Sequence, residues 1–145
     1  MVEDMEIRYR EIRRSRSDPA TFYGLLGMKL EELGEGRALF RLRVEDRFFN
    51  AGGVVHGGVM ASIADAAIAA ALATMVDHER ESIATVEMKI NYMAPSRGGE
   101  LVAEGRIIQR GRSVAVGECA VSDGEGRMLA KAMATFLVRA RPEQA

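Results

Sequence analysis

The sequence has one cysteine in 145 residues, Cys119, which excludes an internal disulfide and suits a reducing cytoplasm. It has no surplus of either charge: 20 basic and 21 acidic residues leave a net charge of −1. A nucleic-acid surface carries a basic excess on one face, so nucleic acid is not an expected partner. The two histidines and the cysteine lie too far apart for a metal-ligand spacing, and no metal is expected. The N-terminal stretch MVEDMEIRYREIRRSRSDP contains no apolar run of the kind a secretory signal needs. Neither G-x-S-x-G nor a P-loop occurs, so the strand-to-helix nucleophile elbow and the phosphate-cradling loop are both missing. Internal repeats, low-complexity tracts and linkers are also missing, and residues 1–145 read as one domain.

The one long apolar run is Val59 to Val76, 18 residues and near the minimum for a membrane span. It is rich in alanine, which contributes little insertion energy, and its central Asp65 costs about 2.5–3.5 kcal/mol in a bilayer. A helix buried inside a protein is the better reading, with no membrane partner.

Hydrophobic residues make up 48% of the chain and charged residues 28%, the balance of a globular domain. Met5, Ile7, Tyr9 and Ile12 among charges predict a short amphipathic helix over 2–14, within an N-terminal extension of residues 1–20. Residues 28–33 and 37–44 read as strands joined at Gly34-Glu35-Gly36, and four more strand-like runs cover 82–93, 100–109, 112–122 and 127–138. In the first of these, alternation puts Ala84, Val86, Met88, Ile90 and Tyr92 on one face, with Thr85, Glu87, Lys89 and Asn91 on the other. Small residues dominate one face of the last two runs: Ser113, Ala115, Gly117 and Cys119, then Ala130, Ala132 and Ala134 between Met128 and Phe136-x-Val138. Such a face can curl closely around an alanine-rich helix. The expected architecture is α+β, one long helix wrapped by an antiparallel sheet of five to six strands.

The stretch NAGGVVHGGVMASIADAAIAAALATM, Asn50 to Met75, joins both features of chemical interest. His56-Gly57-Gly58 sits where the chain enters the helix, whose first N–H groups are unpaired and lie at the positive end of the dipole. Glycine there admits a ligand to the backbone, and such N–H groups can hold a developing oxyanion. The plain alternative is a glycine-rich turn that merely starts a helix. Asp65, a carboxylate in an apolar helix, is costly unless paired or facing a cavity. It reads as a general base or nucleophile, or more simply as an acid bonded to a neighbouring strand. Gly57 and Asp65 are eight residues apart, about 12 Å along a helix, which an Asp side chain cannot span. Joint action on one carbonyl therefore needs a second chain, with antiparallel helices across a two-fold axis.

The pattern N-x-x-G-x-x-H-G-G-x(6)-D, as Asn50, Gly53, His56, Gly57, Gly58 and Asp65, resembles the hotdog-fold acyl-CoA thioesterases, in particular their phenylacetate-pathway (PaaI-like) branch. The resemblance spans roughly residues 24 to 138 and includes the Arg-Gly-Arg hairpin before the fifth strand. It implies a thioesterase that hydrolyses aryl or medium-chain acyl-CoA, with CoA as part of the substrate and no separate cofactor. Gly57 N–H would polarise the thioester carbonyl, Asp65 would be base or nucleophile, and Asn50 and His56 would position substrate or water. Thr85, often serine in this branch, would hold the water from the second subunit's side. Gly58 belongs to the substrate-binding turn. Arg110, Gly111, Arg112 and Ser113 would bind the nucleotide end of CoA, with Arg97 a further contact to the phosphates. The implied assembly is a cytoplasmic homodimer with shared sites, paired again into a tetramer. Two other readings fit part of the pattern: a hotdog hydratase or dehydratase, whose usual H-F-P-G setting is absent, and a non-catalytic acyl-CoA binding module, which would not need Asp65.

Overall fold

Two glycines set how closely the helix and the sheet approach each other. In a computed structural model, which describes residues 1–143, a Cβ on Gly105 would stand 2.5 Å from the carbonyl carbon of Ala67. One on Gly117 would stand 2.5 Å from Ile68 Cγ2. Both distances lie below any real Cβ contact, so the helix rests on bare backbone of the sheet, with its own backbone at Gly105 and with the Ile68 side chain at Gly117.

That helix is α3, Gly57–Ala73, and it ends three residues before the apolar run does. No described helix is long and apolar enough to cross a membrane. Around it bends one six-stranded sheet of order β1-β2-β4-β5-β6-β3, with every neighbouring pair antiparallel. Its strands are β1 (Lys29–Gly34), β2 (Arg37–Arg43), β3 (Glu81–Tyr92), β4 (Glu100–Arg110), β5 (Val114–Asp123) and β6 (Met128–Ala140). This is the expected helix wrapped by an antiparallel sheet. The small faces of β5 and β6 do line the helix, since Ala115, Cys119, Ala130, Ala132, Ala134, Phe136 and Val138 are buried. Met128 departs from that face and is exposed, while Leu129 is buried in its place.

Beneath the sheet, Ile63, Ala64, Ala67, Ile68, Ala71 and Leu72 of α3 are fully buried. The helix keeps one uncovered stripe: Gly58, Ala61, Ser62, Asp65 and Ala69, at helical spacing. Asp65 thus lies on the only side of the helix that the sheet leaves open.

β3 differs from its simple alternation. A bulge between Thr85 and Glu87 inserts Val86 as an unpaired, 57% exposed residue. An extra residue flips the faces on either side of it. Thr85, opposite buried Phe136, therefore shares the helix-facing side with Met88 and Ile90, contrary to the strict period-two reading. β3 is also an edge strand of 12 residues with no partner on its outer side among the described residues.

The N-terminal helix α1, Val2–Ser15, buries Ile12 and half-buries Tyr9, but leaves Met5 and Ile7 exposed. It is held mainly by arginines. Arg8 donates to the Ala73 carbonyl at 3.1 Å, meeting the negative end of α3 with a cation, and Arg13 donates to the Leu30 and Glu31 carbonyls. A short helix, α2 (Phe22–Leu26), follows the Asp18-Pro19 break and ends on Gly27 in the left-handed conformation.

Gly105→Ala is expected to destabilise the fold by about 1–3 kcal/mol, because the new methyl must push β4 off the helix backbone. Urea unfolding measures this. A midpoint equal to that of the wild type would mean that the sheet does not touch the helix there.

Candidate functional site

The loop before α3 is built around Asn50. Its Oδ1 accepts from the N–H of Gly52 at 2.8 Å and of Val54 at 3.3 Å, and its own N–H donates to the Val54 carbonyl. Gly53, with φ of 79°, makes this tight return possible. The chain is then fastened on both sides: Val55 N–H donates to the Ser96 carbonyl, and His56 N–H to the Phe48 carbonyl.

His56 is the N-cap of α3. Its Nδ1 accepts the Gly58 N–H at 2.8 Å, so the Gly58 donor is already engaged. The imidazole is exposed and lies in a shallow groove with Leu25, Phe48 and Phe49, away from Asn50. Within one chain, then, His56 is a helix cap and Gly58 its partner. Gly57 N–H, in contrast, has no hydrogen-bond acceptor among the described residues. It faces a cavity of about 400 Å³ together with Asn50, Met60, Tyr92, Met93 and Pro95.

Tyr92 is the residue that sequence reading missed here. Its hydroxyl donates to the Gly57 carbonyl at 2.8 Å, and its ring lies where a Gly57 side chain would be, 2.9 Å from an ideal Cβ. Glycine at 57 is therefore required by the tyrosine as well as being open to a ligand. Burial raises the Tyr92 pKa above the usual tyrosine range, so the phenol is a donor at neutral pH. Its position on β3 was readable from the pattern. Its contact was not, because it depends on where the end of β3 meets the start of α3.

Asp65 lies elsewhere. Its Oδ1 accepts the Thr85 hydroxyl at 2.7 Å, and it lines a second cavity, about 320 Å³, with Phe22, Tyr23, Met28, Ser62 and Met88. The acid is thus both bonded to a neighbouring strand and open to a cavity, the two conditions under which a carboxylate in an apolar helix is tolerated. One chain brings together Asn50 with Gly57, and Asp65 with Thr85. It does not bring the two pairs together.

The Arg110–Ser113 turn is tight: Gly111 N–H donates to the Val114 carbonyl, and the Ser113 carbonyl accepts from Val138 N–H. Arg110 is turned inward, paired with Glu81 at 3.3 Å and hydrogen-bonded to the carbonyls of Gly111 and Arg112. Only Arg112 presents an exposed guanidinium. Arg97 is exposed too, but at the opposite end of β4, about 30 Å away at about 3.3 Å per strand residue. Within one chain the two arginines cannot serve the same phosphates. Cys119 is buried, and burial pushes its thiol pKa up to about 12, which removes it as a nucleophile. No cluster of metal-ligating side chains occurs among the described residues.

Comparison with known proteins places this geometry in context. A family profile described as the thioesterase superfamily matches residues 52–130. SSO2140 of Saccharolobus solfataricus, provisionally named an esterase, is 31% identical over 80% of this chain and 81% of its own length. The medium/long-chain acyl-CoA thioesterase YigI of Escherichia coli is 29% identical over 81% of this chain and 84% of its own. Among solved structures, a variant of the Pseudomonas aeruginosa thioesterase PA1618 superposes with a TM-score of 0.83 at 22% identity, covering 92% of this chain and 94% of that one. The sheet and helix are therefore those of the hotdog fold.

His56→Ala is expected to lower stability by about 1 kcal/mol through loss of the helix cap, and His56→Asn to restore most of it. Thermal unfolding of the three proteins decides this. Equal stability of all three would remove the capping role.

Proposed function

The chain belongs to the thioesterase superfamily, and from that membership we propose that it hydrolyses aryl or medium-chain acyl-CoA thioesters in active sites shared between two copies. The carrying observation is that the unpaired Gly57 N–H and the Asp65 carboxylate open into separate cavities on one helix. A two-fold axis that sets two α3 helices antiparallel brings each Gly57 toward the other chain's Asp65. Two surface features support such a pairing. The uncovered stripe of α3 carries only small side chains beside Asp65, and the 12-residue outer edge of β3 is unpaired. An open strand of that length is a template for another strand.

In this reading Gly57 N–H, at the positive end of the α3 dipole, holds the thioester oxygen as negative charge builds on it. Asn50 shapes the loop that presents Gly57. Asp65 either takes a proton from the attacking water or attacks the carbonyl carbon itself, and the Thr85 hydroxyl fixes its orientation. The carbon–sulfur bond then breaks and CoA leaves as the thiolate; with water as the attacking group the acid is released directly, and with Asp65 as nucleophile a water molecule then hydrolyses the acyl-Asp65 anhydride to the acid and restores the carboxylate. The apolar cavity beside Asp65, walled by Phe22, Tyr23, Met28 and Met88, receives the acyl group, and its volume suits a ring or a medium chain. The name of the YigI relative supports a CoA thioester as substrate, and the motif resemblance supports the phenylacetate-pathway branch. The exposed Arg112 takes the nucleotide phosphates. A free, buried Cys119 fits a reducing cytoplasm.

A panel of acyl-CoAs followed by free-thiol release tests the reading. Asp65→Asn is expected to keep the fold and lose about 10²–10⁴-fold in turnover on the best substrate. Binding without thiol release by the wild type would instead identify a binding module. More than about a tenth of wild-type turnover in the folded variant would contradict the role of Asp65.

The shared site is testable separately. Asp65→Asn and Asn50→Ala, each inactive alone, are unfolded together and refolded as an equal mixture. About half the dimers are then mixed, and in each of these one site carries both lesions and the other none. Activity is expected to return to roughly a quarter of wild type. No recovery, with mixed dimers verified by tag capture, would place each site within one chain.

A further inference from the structure

Two glycines, Gly57 and Gly58, open α3. Glycine has the freest backbone of any residue, and a helix ladder leaves the N–H groups of its first turn unpaired. A donor in such a turn keeps its direction only when something outside the ladder holds it. Here the Gly57 carbonyl accepts the Tyr92 hydroxyl at 2.8 Å, and the Gly58 N–H donates to His56 Nδ1 at 2.8 Å. Those two groups are opposite ends of one peptide unit, which is therefore fastened at both. Each bond polarises the peptide in the sense that strengthens the other.

The base of this fastening is firm. Tyr92 is the last residue of β3 and pairs with Ala130 of β6. Beyond it, the N–H groups of Met93 and Ala94 both donate to the carbonyl of buried Leu129, at 2.8 and 3.2 Å. The Ser96 carbonyl then takes the Val55 N–H. The segment from Tyr92 to Ser96 thus fastens the loop just before the helix and again at the helix start. The Tyr92 ring also covers one side of Gly57, with Cζ 2.9 Å from an ideal Cβ there.

We propose that Tyr92 is a positioning residue for the hydrolysis, a role that rests on the reading of Gly57 as the oxyanion donor. Its hydroxyl holds the Gly57–Gly58 peptide, so that the neighbouring Gly57 N–H stays aimed into the cavity both residues line. A general acid would have to release the proton that the Gly57 carbonyl holds, and burial makes this phenol less acidic than an ordinary tyrosine. A residue that merely filled space beside Gly57 would not need the hydroxyl at all.

Tyr92→Phe tests this, because it keeps the ring of a residue that is 51% exposed and removes only the hydroxyl. Turnover on the best acyl-CoA is expected to fall about tenfold, the worth of one hydrogen bond, with KM within about twofold of wild type. Hydrogen exchange at the Gly58 amide, followed by NMR, is expected to quicken about tenfold, while mid-helix amides such as Ile63 keep their wild-type rates. Placing 3-fluorotyrosine at position 92 restores the donor and is expected to restore both readings. Wild-type turnover in Tyr92→Phe, unchanged exchange at Gly58, or faster exchange along the whole of α3 would each overturn the role of Tyr92 alone. A wild type that releases no thiol from any acyl-CoA would instead overturn the reading of Gly57, and this role with it.

Discussion

The close contact of α3 with the sheet, backbone to backbone at Gly105 and through the Ile68 side chain at Gly117, governs most of this protein's architecture. Where two backbones touch, no side chain can intervene, and alanines fill the remaining helix positions on that side. The sheet bends around the helix because its inner face, in β5 and β6, is small enough to do so. A helix gripped so closely on one side has a fixed rotation about its axis. That rotation, more than anything local to Asp65, turns the carboxylate onto the single uncovered stripe. It also fixes the helix start, so the Gly57 N–H meets the cavity beneath Tyr92.

Much of this was legible in the sequence because it depends on periodicity. The helix, the six strands, the hairpin at Gly34–Gly36 and the small inner faces of β5 and β6 all derive from spacing along the chain. The separation of Gly57 from Asp65 was equally readable, since eight helical residues have one length. What was not legible has a common cause in contacts between distant segments. The bulge at Val86 arises from pairing with β6, and it reverses the face of Thr85 that alternation assigns. Arg110 looked like a phosphate ligand in its turn. Glu81, 29 residues earlier, turns it inward. His56 belongs to the motif, yet in one chain its imidazole serves as a helix cap.

The bulge also has a constructive consequence. Without the extra residue, Thr85 would point away from the helix, and its hydroxyl could not reach Asp65. A strand that kept strict alternation could place Met88 and Ile90 against α3, or Thr85, but not all three. The bulge permits both packing and the polar contact on one strand. It also exposes Val86 on the outer side of the sheet, close to the unpaired edge of β3.

A site divided along one helix constrains the assembly as well as the chemistry. The proposed oxyanion donor has to be at the helix start, because only the first turn has unpaired N–H groups. An acid one turn further on would crowd the same cavity, and it would sit beside the cap that holds the turn. At position 65 the acid is two turns away, on the open stripe and supported by a strand, where it leaves the Gly57 cavity free for substrate. In the proposed reading the cost is that the two groups meet only across a symmetry axis. On that reading a monomer holds both halves of the proposed machinery without joining them, and hydrolysis is coupled to pairing of the subunits.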